Sequence, residues 1–122
     1  MSFCEGLIIN LSFVFTNKED SVATERQRES IFQSRLIAKL KKRFPGCVIL
    51  KNDEQYCQGI PDLVIFYKDR WAMLECKASA KASHRPNQDY YISKLSKMSF
   101  AAFVFPENEE EVLDGLARAF ES

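Results

Sequence analysis

Histidine is almost missing from this 122-residue chain: His84 is the only one, and it lies in a Ser/Lys-rich loop with no partner pattern around it. A Ser-His-Asp triad is therefore unsupported. The four cysteines, Cys4, Cys47, Cys57 and Cys76, form no C-x-x-C pair. With one His beside them, that spacing argues against a zinc site. There is no G-x-x-x-x-G-K-[ST] stretch, so nucleotide-driven work is not expected. Long apolar runs are absent too. Leu7 to Phe15 is apolar apart from Asn10 and Ser12, but too short to span a bilayer. No Lys or Arg precedes it, which makes it a poor signal peptide. The expectation is a cytoplasmic protein without a membrane partner, its cysteines reduced. No internal repeat or low-complexity tract interrupts the chain.

Net charge is zero as well, which at first argues against a nucleic-acid partner. The charges are segregated along the chain, however. Ser30 to Asn52 holds six basic residues, Arg35, Lys39, Lys41, Lys42, Arg43 and Lys51, and no acid. Between Lys77 and Lys97 five of six charged residues are basic, whereas Glu107 to Ser122 holds six acids and one Arg. A basic half and an acidic last segment can present a positive face despite the neutral total.

Apolar residues make up 46% of the chain, enough for one globular domain with a single core. Residues 1–24 read as an N-terminal extension: a strand, an arm or a disordered segment around Leu7–Phe15, then a polar linker. Residues 25–122 read as the domain. Glu25 to Phe44 has helical spacing, with Phe32, Leu36, Ile37, Leu40 and Phe44 in one stripe. Arg28, Arg35, Lys39 and Lys42 form a second stripe, and Pro45-Gly46 stops the helix. Cys47 to Leu50 is a short strand. Pro86 opens a helix running to about Met98, with Gln88, Tyr91, Ile92 and Leu95 on one face. Phe100 to Phe105 is the last strand. Asn108 with Glu111 resembles a capping box. Val112, Leu113, Leu116 and Phe120 supply the inner face of a final helix.

The chemistry concentrates in the middle. Gly59-Ile60-Pro61-Asp62 opens the apolar run Leu63–Tyr67, and Glu75-Cys76-Lys77 closes the run from Trp71 to Leu74. Lys68-Asp69-Arg70 between them reads as a tight turn, which makes the runs a hairpin. Alternation puts Glu75 and Lys77 on one side of their strand and Cys76 on the other. The pairing then brings Asp62 beside Glu75 and Lys77 at one sheet end. Acids at the edges of apolar strands cost free energy unless paired or ligated. Hard oxygen donors of this kind suit Mg²⁺ or Mn²⁺. Glu29 points toward the apolar face of the first helix, either as a dipole-favoured first-turn acid or as part of the site. Glu25, one turn earlier, is its rival. Lys51, Lys81, His84 and Arg85 join Arg35, Lys39 and Lys42 as candidate contacts to a nucleic-acid backbone.

The element order is α-β-β-β-α-β-α, with a parallel pair expected across the strand–helix–strand unit and antiparallel pairs before it. G-I-P-D, a hairpin and E-C-K in this order resemble the PD-(D/E)xK nuclease superfamily, over roughly Glu29 to Phe105. The likeness is greatest to virus-type replication-repair nuclease domains and phage Holliday-junction resolvases. The resemblance implies an α/β, restriction-endonuclease-like αβββαβ core: a small mixed β-sheet flanked by helices. It implies a Mg²⁺- or Mn²⁺-dependent endonuclease acting on DNA, RNA not being excluded, in a bacterial or phage-infected cell. Asp62, Glu75 and the carbonyl of Cys76 would hold the metal. Lys77 would act in the chemical step, with Glu29 and Gln88 completing the site. Gln88 reads equally as the cap of its own helix. A homodimer joined through Leu7–Phe15 would present two sites to a branched substrate. The alternative is a nuclease fold that binds DNA or serves assembly without catalysis.

Overall fold

The computed structural model describes residues 22–121. Leu7–Phe15, and with it the expected dimer contact, lies outside the described residues, as do Cys4 and Ser122. Helix α1 spans Glu25–Arg43, followed by strands β1 (Val48–Lys51), β2 (Leu63–Tyr67) and β3 (Arg70–Cys76). Helix α2 (Pro86–Ser96), strand β4 (Phe100–Val104) and helix α3 (Glu109–Glu121) complete the described residues, with a 3-10 turn at Pro106–Asn108. The fold is α/β, with one four-stranded mixed sheet in the order β1-β2-β3-β4. The first two pairings are antiparallel and β3–β4 is parallel.

Helix α1 starts at a capping box formed by Thr24 and Gln27. Thr24 Oγ1 accepts the Gln27 N–H at 3.1 Å, and Gln27 Oε1 accepts the Thr24 N–H at 2.8 Å. Basic Lys41, Lys42 and Arg43 fill its last turn, where the helix dipole favours cations. Gly46 follows at φ +90°, a conformation that suits glycine. The hairpin turn is shorter than expected, because Arg70 belongs to β3. Lys68, at φ +58°, takes the left-handed position that such a two-residue turn requires.

Phe32, Leu36 and Leu40 of α1, with Phe44 just after it, meet Val112, Leu113, Leu116 and Phe120 of α3 over one sheet face. That face supplies Leu63, Ile65, Ala72, Leu74, Cys76 and Val104. Strand alternation sends Val64, Met73 and Glu75 to the opposite face, the side of α2. The apolar stripes of both helices agree with the sequence reading. Asn108 does not: its side chain turns back, accepting the Phe105 N–H at 2.9 Å and donating to the Phe103 carbonyl. It therefore holds the 3-10 turn rather than forming a box with Glu111.

Candidate functional site

Leu63 lies opposite Leu74 in the β2–β3 register, which sets Asp62 against Glu75 at the end of the ladder. Two reciprocal bonds join them. The Asp62 N–H donates to Glu75 Oε1 and the Cys76 N–H to Asp62 Oδ2, both at 3.0 Å. Glu75 is 2% exposed and Lys77 7% exposed, so both charges sit inside the protein rather than on a solvated strand face. Gln88 reaches them from the first turn of α2. Its Nε2 donates to Glu75 Oε2 at 2.8 Å, and its Oε1 accepts from Lys77 Nζ at 2.8 Å. The same Oε1 accepts the Arg85 N–H at 3.1 Å. Gln88 thus caps its helix and bridges the site at once; the two readings of it are not rivals. Lys77 Nζ lies 3.9 Å from Glu75 Oε2.

Glu75, Lys77 and Gln88 open into a cleft of about 270 Å³, whose other walls include Glu25, Glu29, Glu54 and Arg85. Glu29 is half-buried and carries no hydrogen bond or ion pair among the described residues. Burial raises its pKa, and the charge of Asp62 raises it further. Glu25, by contrast, is exposed in the first turn. Both helix carboxylates line the cleft; Glu29 is the more buried of the two. Burial also raises the Asp62 pKa against the opposing Cys76 N–H bond. Glu75 is pushed up to about 8, first by burial and then by Asp62, with Lys77 acting the other way.

Glu54 was missed in the sequence. It sits in the loop between β1 and β2, pairs with Arg85 Nη2 at 3.2 Å, and its charge raises the pKa of Glu29, Asp62 and Glu75. No periodicity could have singled it out. Gly59, in the same loop, has φ +88°, and a Cβ there would overlap Asn87 of α2. Backbone contact at this point docks the loop against the helix that carries Gln88.

The donor chemistry of the cleft is that of a hard divalent cation: carboxylate oxygens whose mutual repulsion such a charge relieves. Asp62 Oδ1 accepts no hydrogen bond among the described residues. Both Glu75 oxygens are engaged, however, and no three Asp, Glu, His or Cys side chains among the described residues converge closely enough to enclose an ion. Asp62 and Glu75 are thus a carboxylate pair rather than a finished cage. The Cys76 thiol cannot contribute. It is fully buried in the core on the opposite sheet face, and burial pushes its pKa far up. Only the backbone of Cys76 reaches the site.

The basic candidates are less free than their sequence segregation implies. Lys39 Nζ lies 2.9 Å from Glu109 Oε1, and Arg43 lies 2.9 Å from Asp114. The acidic helix α3 packs directly along the basic helix and neutralises part of it. His84 is committed as well, 3.0 Å from Asp89 and stacked on the Phe103 ring at 3.9 Å. Arg35 and Lys42 stay exposed on α1, Lys51 on the edge strand and Lys81 in the loop before α2. Arg85 is exposed at the mouth of the cleft, held by Glu54. No helix among the described residues is long and apolar enough to cross a membrane. No protein-family model matches the chain, and none of the curated proteins matches it either.

Proposed function

We propose that this chain is a divalent-metal-dependent nuclease of the PD-(D/E)xK type, with a restriction-endonuclease-like core, that hydrolyses phosphodiester bonds in DNA. The observation that carries the reading is one connected unit: Asp62, Glu75, Lys77 and Gln88 joined by hydrogen bonds, the last three lining a cleft that Glu29 also faces. Burying Glu75 and Lys77 together beside a half-buried Asp62 is costly for a fold that needs only stability. Function accounts for that cost.

Asp62 and Glu75 are the residues that would hold Mg²⁺ or Mn²⁺, with the Cys76 carbonyl beside them. Such an ion supplies a nucleophilic water of lowered pKa and a polarised phosphoryl oxygen. The protein's own groups do the rest. Gln88 fixes Lys77 Nζ and Glu75 Oε2 relative to each other, so neither side chain has to be ordered when substrate arrives. Lys77 Nζ, held by Gln88 Oε1, is a donor for charge developing on the phosphate or its leaving oxygen. Glu29 accepts or orients protons at the open side of the cleft. Arg85 meets a flanking phosphate at its mouth.

A DNA-binding or assembly module without catalysis is favoured by one feature: both Glu75 oxygens are already bonded within the protein. A panel of labelled linear, flapped and four-way DNAs, incubated with Mg²⁺, Mn²⁺ or EDTA, separates the two. Metal-dependent cleavage that disappears in Glu75→Ala supports the enzyme. Binding without cleavage under every metal condition supports the module.

A further inference from the structure

A groove of about 430 Å³ lies on the other side of α1 from the cleft. The first turns of α1 are the wall between them: Glu25, Arg26 and Glu29 face the cleft, while Arg28, Phe32 and Arg35 face the groove. The opposite wall includes Ala78, which directly follows Lys77, and Pro106. The groove therefore begins beside the strand end that carries the site.

Its lining has two characters. Ile31, 49% exposed, joins Phe32, Ala78 and Pro106 as an apolar floor. Arg28 and Arg35 rise from α1, two helical turns or about 10 Å apart. Lys39 closes the far end but is neutralised by Glu109. Arg28 keeps one guanidinium nitrogen on the Ala23 carbonyl. Arg35 has no hydrogen bond or ion pair among the described residues. The surplus charge is positive, so the matching ligand is anionic and also offers flat apolar surface.

Duplex DNA offers phosphates but hides its base faces in the stack. A single strand offers both, and sequence-tolerant single-strand sites combine cations with stacking surfaces. We propose that this groove seats single-stranded DNA continuing from the scissile phosphate, its phosphates on Arg28 and Arg35 and its bases against Ile31 and Pro106. The continuation into the cleft rests on the nuclease reading; the groove's preference for a single strand does not. The consequence is that the substrate is DNA with an unpaired segment next to the cut.

The test is fluorescence anisotropy of the full chain in EDTA, with two probes: a labelled deoxythymidine oligonucleotide of about ten nucleotides and a blunt duplex of the same length. The wild type is expected to bind the single strand more tightly than the duplex. Ile31→Gln, a neutral change at a half-exposed helix position, should weaken single-strand binding by roughly threefold, the scale of losing about one buried methylene, and leave duplex binding within about twofold. Ile31→Trp should strengthen single-strand binding, and Arg35→Gln should weaken both probes. Thermal melts check that each variant is folded, and the Trp variant keeps the test decisive if the Gln variant is not. Equal affinity for the two probes, or single-strand binding indifferent to Ile31, overturns the proposal. Cleavage in Mg²⁺ is assayed in parallel. Single-strand binding weakened in Ile31→Gln without any cleavage sinks the nuclease reading alone; cleavage without single-strand preference sinks the groove alone.

Discussion

Asp62 and Glu75 hold each other through the backbone: each carboxylate accepts an N–H from the other's strand end, Asp62 from Cys76 and Glu75 from Asp62 itself. Removing either acid therefore frees a backbone donor as well as a charge. Asp62→Ala and Glu75→Ala are expected to abolish metal-dependent cleavage, and Glu75→Ala, which leaves the buried Lys77 ammonium without its carboxylate, should also melt earlier than the wild type. Circular dichroism and a labelled DNA assay on the same preparation check this. Full cleavage by either variant would end the assignment of the pair as metal ligands.

The pKa of Glu75 gives a pH signature in the metal-free protein. Its folded-state value is raised from 4.5 to about 8 by burial and by Asp62. The folded state then binds this proton more tightly than the unfolded chain does. Stability from this group is full below about 4.5 and is lost as pH rises toward about 8. The raised Glu29 and Asp62 values act in the same direction. Melts in EDTA from pH 5 to 8.5 should show Tm falling with pH, and falling less in Glu75→Gln. A parallel fall in both proteins would mean that Glu75 is not the titrating group.

Lys77 is expected to act on turnover more than on affinity, since it is buried behind Gln88 rather than presented on the surface. Lys77→Ala should lower the cleavage rate by roughly 10²-fold or more, the scale of losing a positioned donor. DNA affinity in Ca²⁺ should hold. Gln88→Ala removes the bond that places Lys77 and should give a smaller loss of the same kind. Single-turnover kinetics separate this from a binding defect; normal turnover with poor affinity would move Lys77 to the binding surface.

The site pair was legible because its cause is local. A short turn fixes the hairpin register, and alternation along β3 fixes the faces, so Asp62, Glu75 and Lys77 had to meet. The apolar stripes of α1 and α3 were legible for the same reason, each being a period within one element. What stayed hidden depended on distant packing. Lys39 and Glu109 are seventy residues apart, and nothing in the order of charges says that the acidic helix will lie on the basic one. Glu54 belongs to a loop without a period, and its place at the cleft follows from how that loop docks on α2. Gln88 posed a question of a different kind: the sequence offered a cap and a site role as alternatives, and one side-chain oxygen serves both.

Glu54 should act as a competitor for DNA at the cleft mouth. Its pair with Arg85 is exposed, and such pairs contribute ~0–1 kcal/mol, so a phosphate can displace the carboxylate at little cost. Glu54→Gln should raise DNA affinity in EDTA by up to about fivefold. The gain should vanish in the double variant with Arg85→Gln, because no guanidinium is left to release. A gain of equal size in both backgrounds would assign the effect to general charge and not to the pair.

Two glycines at positive φ among the described residues offer a matched comparison of what the loop does for the site. Gly46 and Gly59 stand at φ +90° and +88°, so an alanine at either position carries the same backbone strain, ~1–2 kcal/mol. Their surroundings differ. A Cβ at Gly46 meets nothing within 4 Å, whereas one at Gly59 runs into the Cβ and carbonyl of Asn87. Asn87 precedes Gln88, so relief of that overlap has to move either the loop that leads into Asp62 or the first turn of α2. Either shift disturbs the Asp62–Glu75–Gln88–Lys77 connection. Both variants should melt earlier than the wild type, Gly59→Ala the more so. Cleavage measured well below either Tm should be near normal in Gly46→Ala and strongly reduced in Gly59→Ala. Equal activity in the two would show that the docking of loop on helix stabilises the fold without positioning the site.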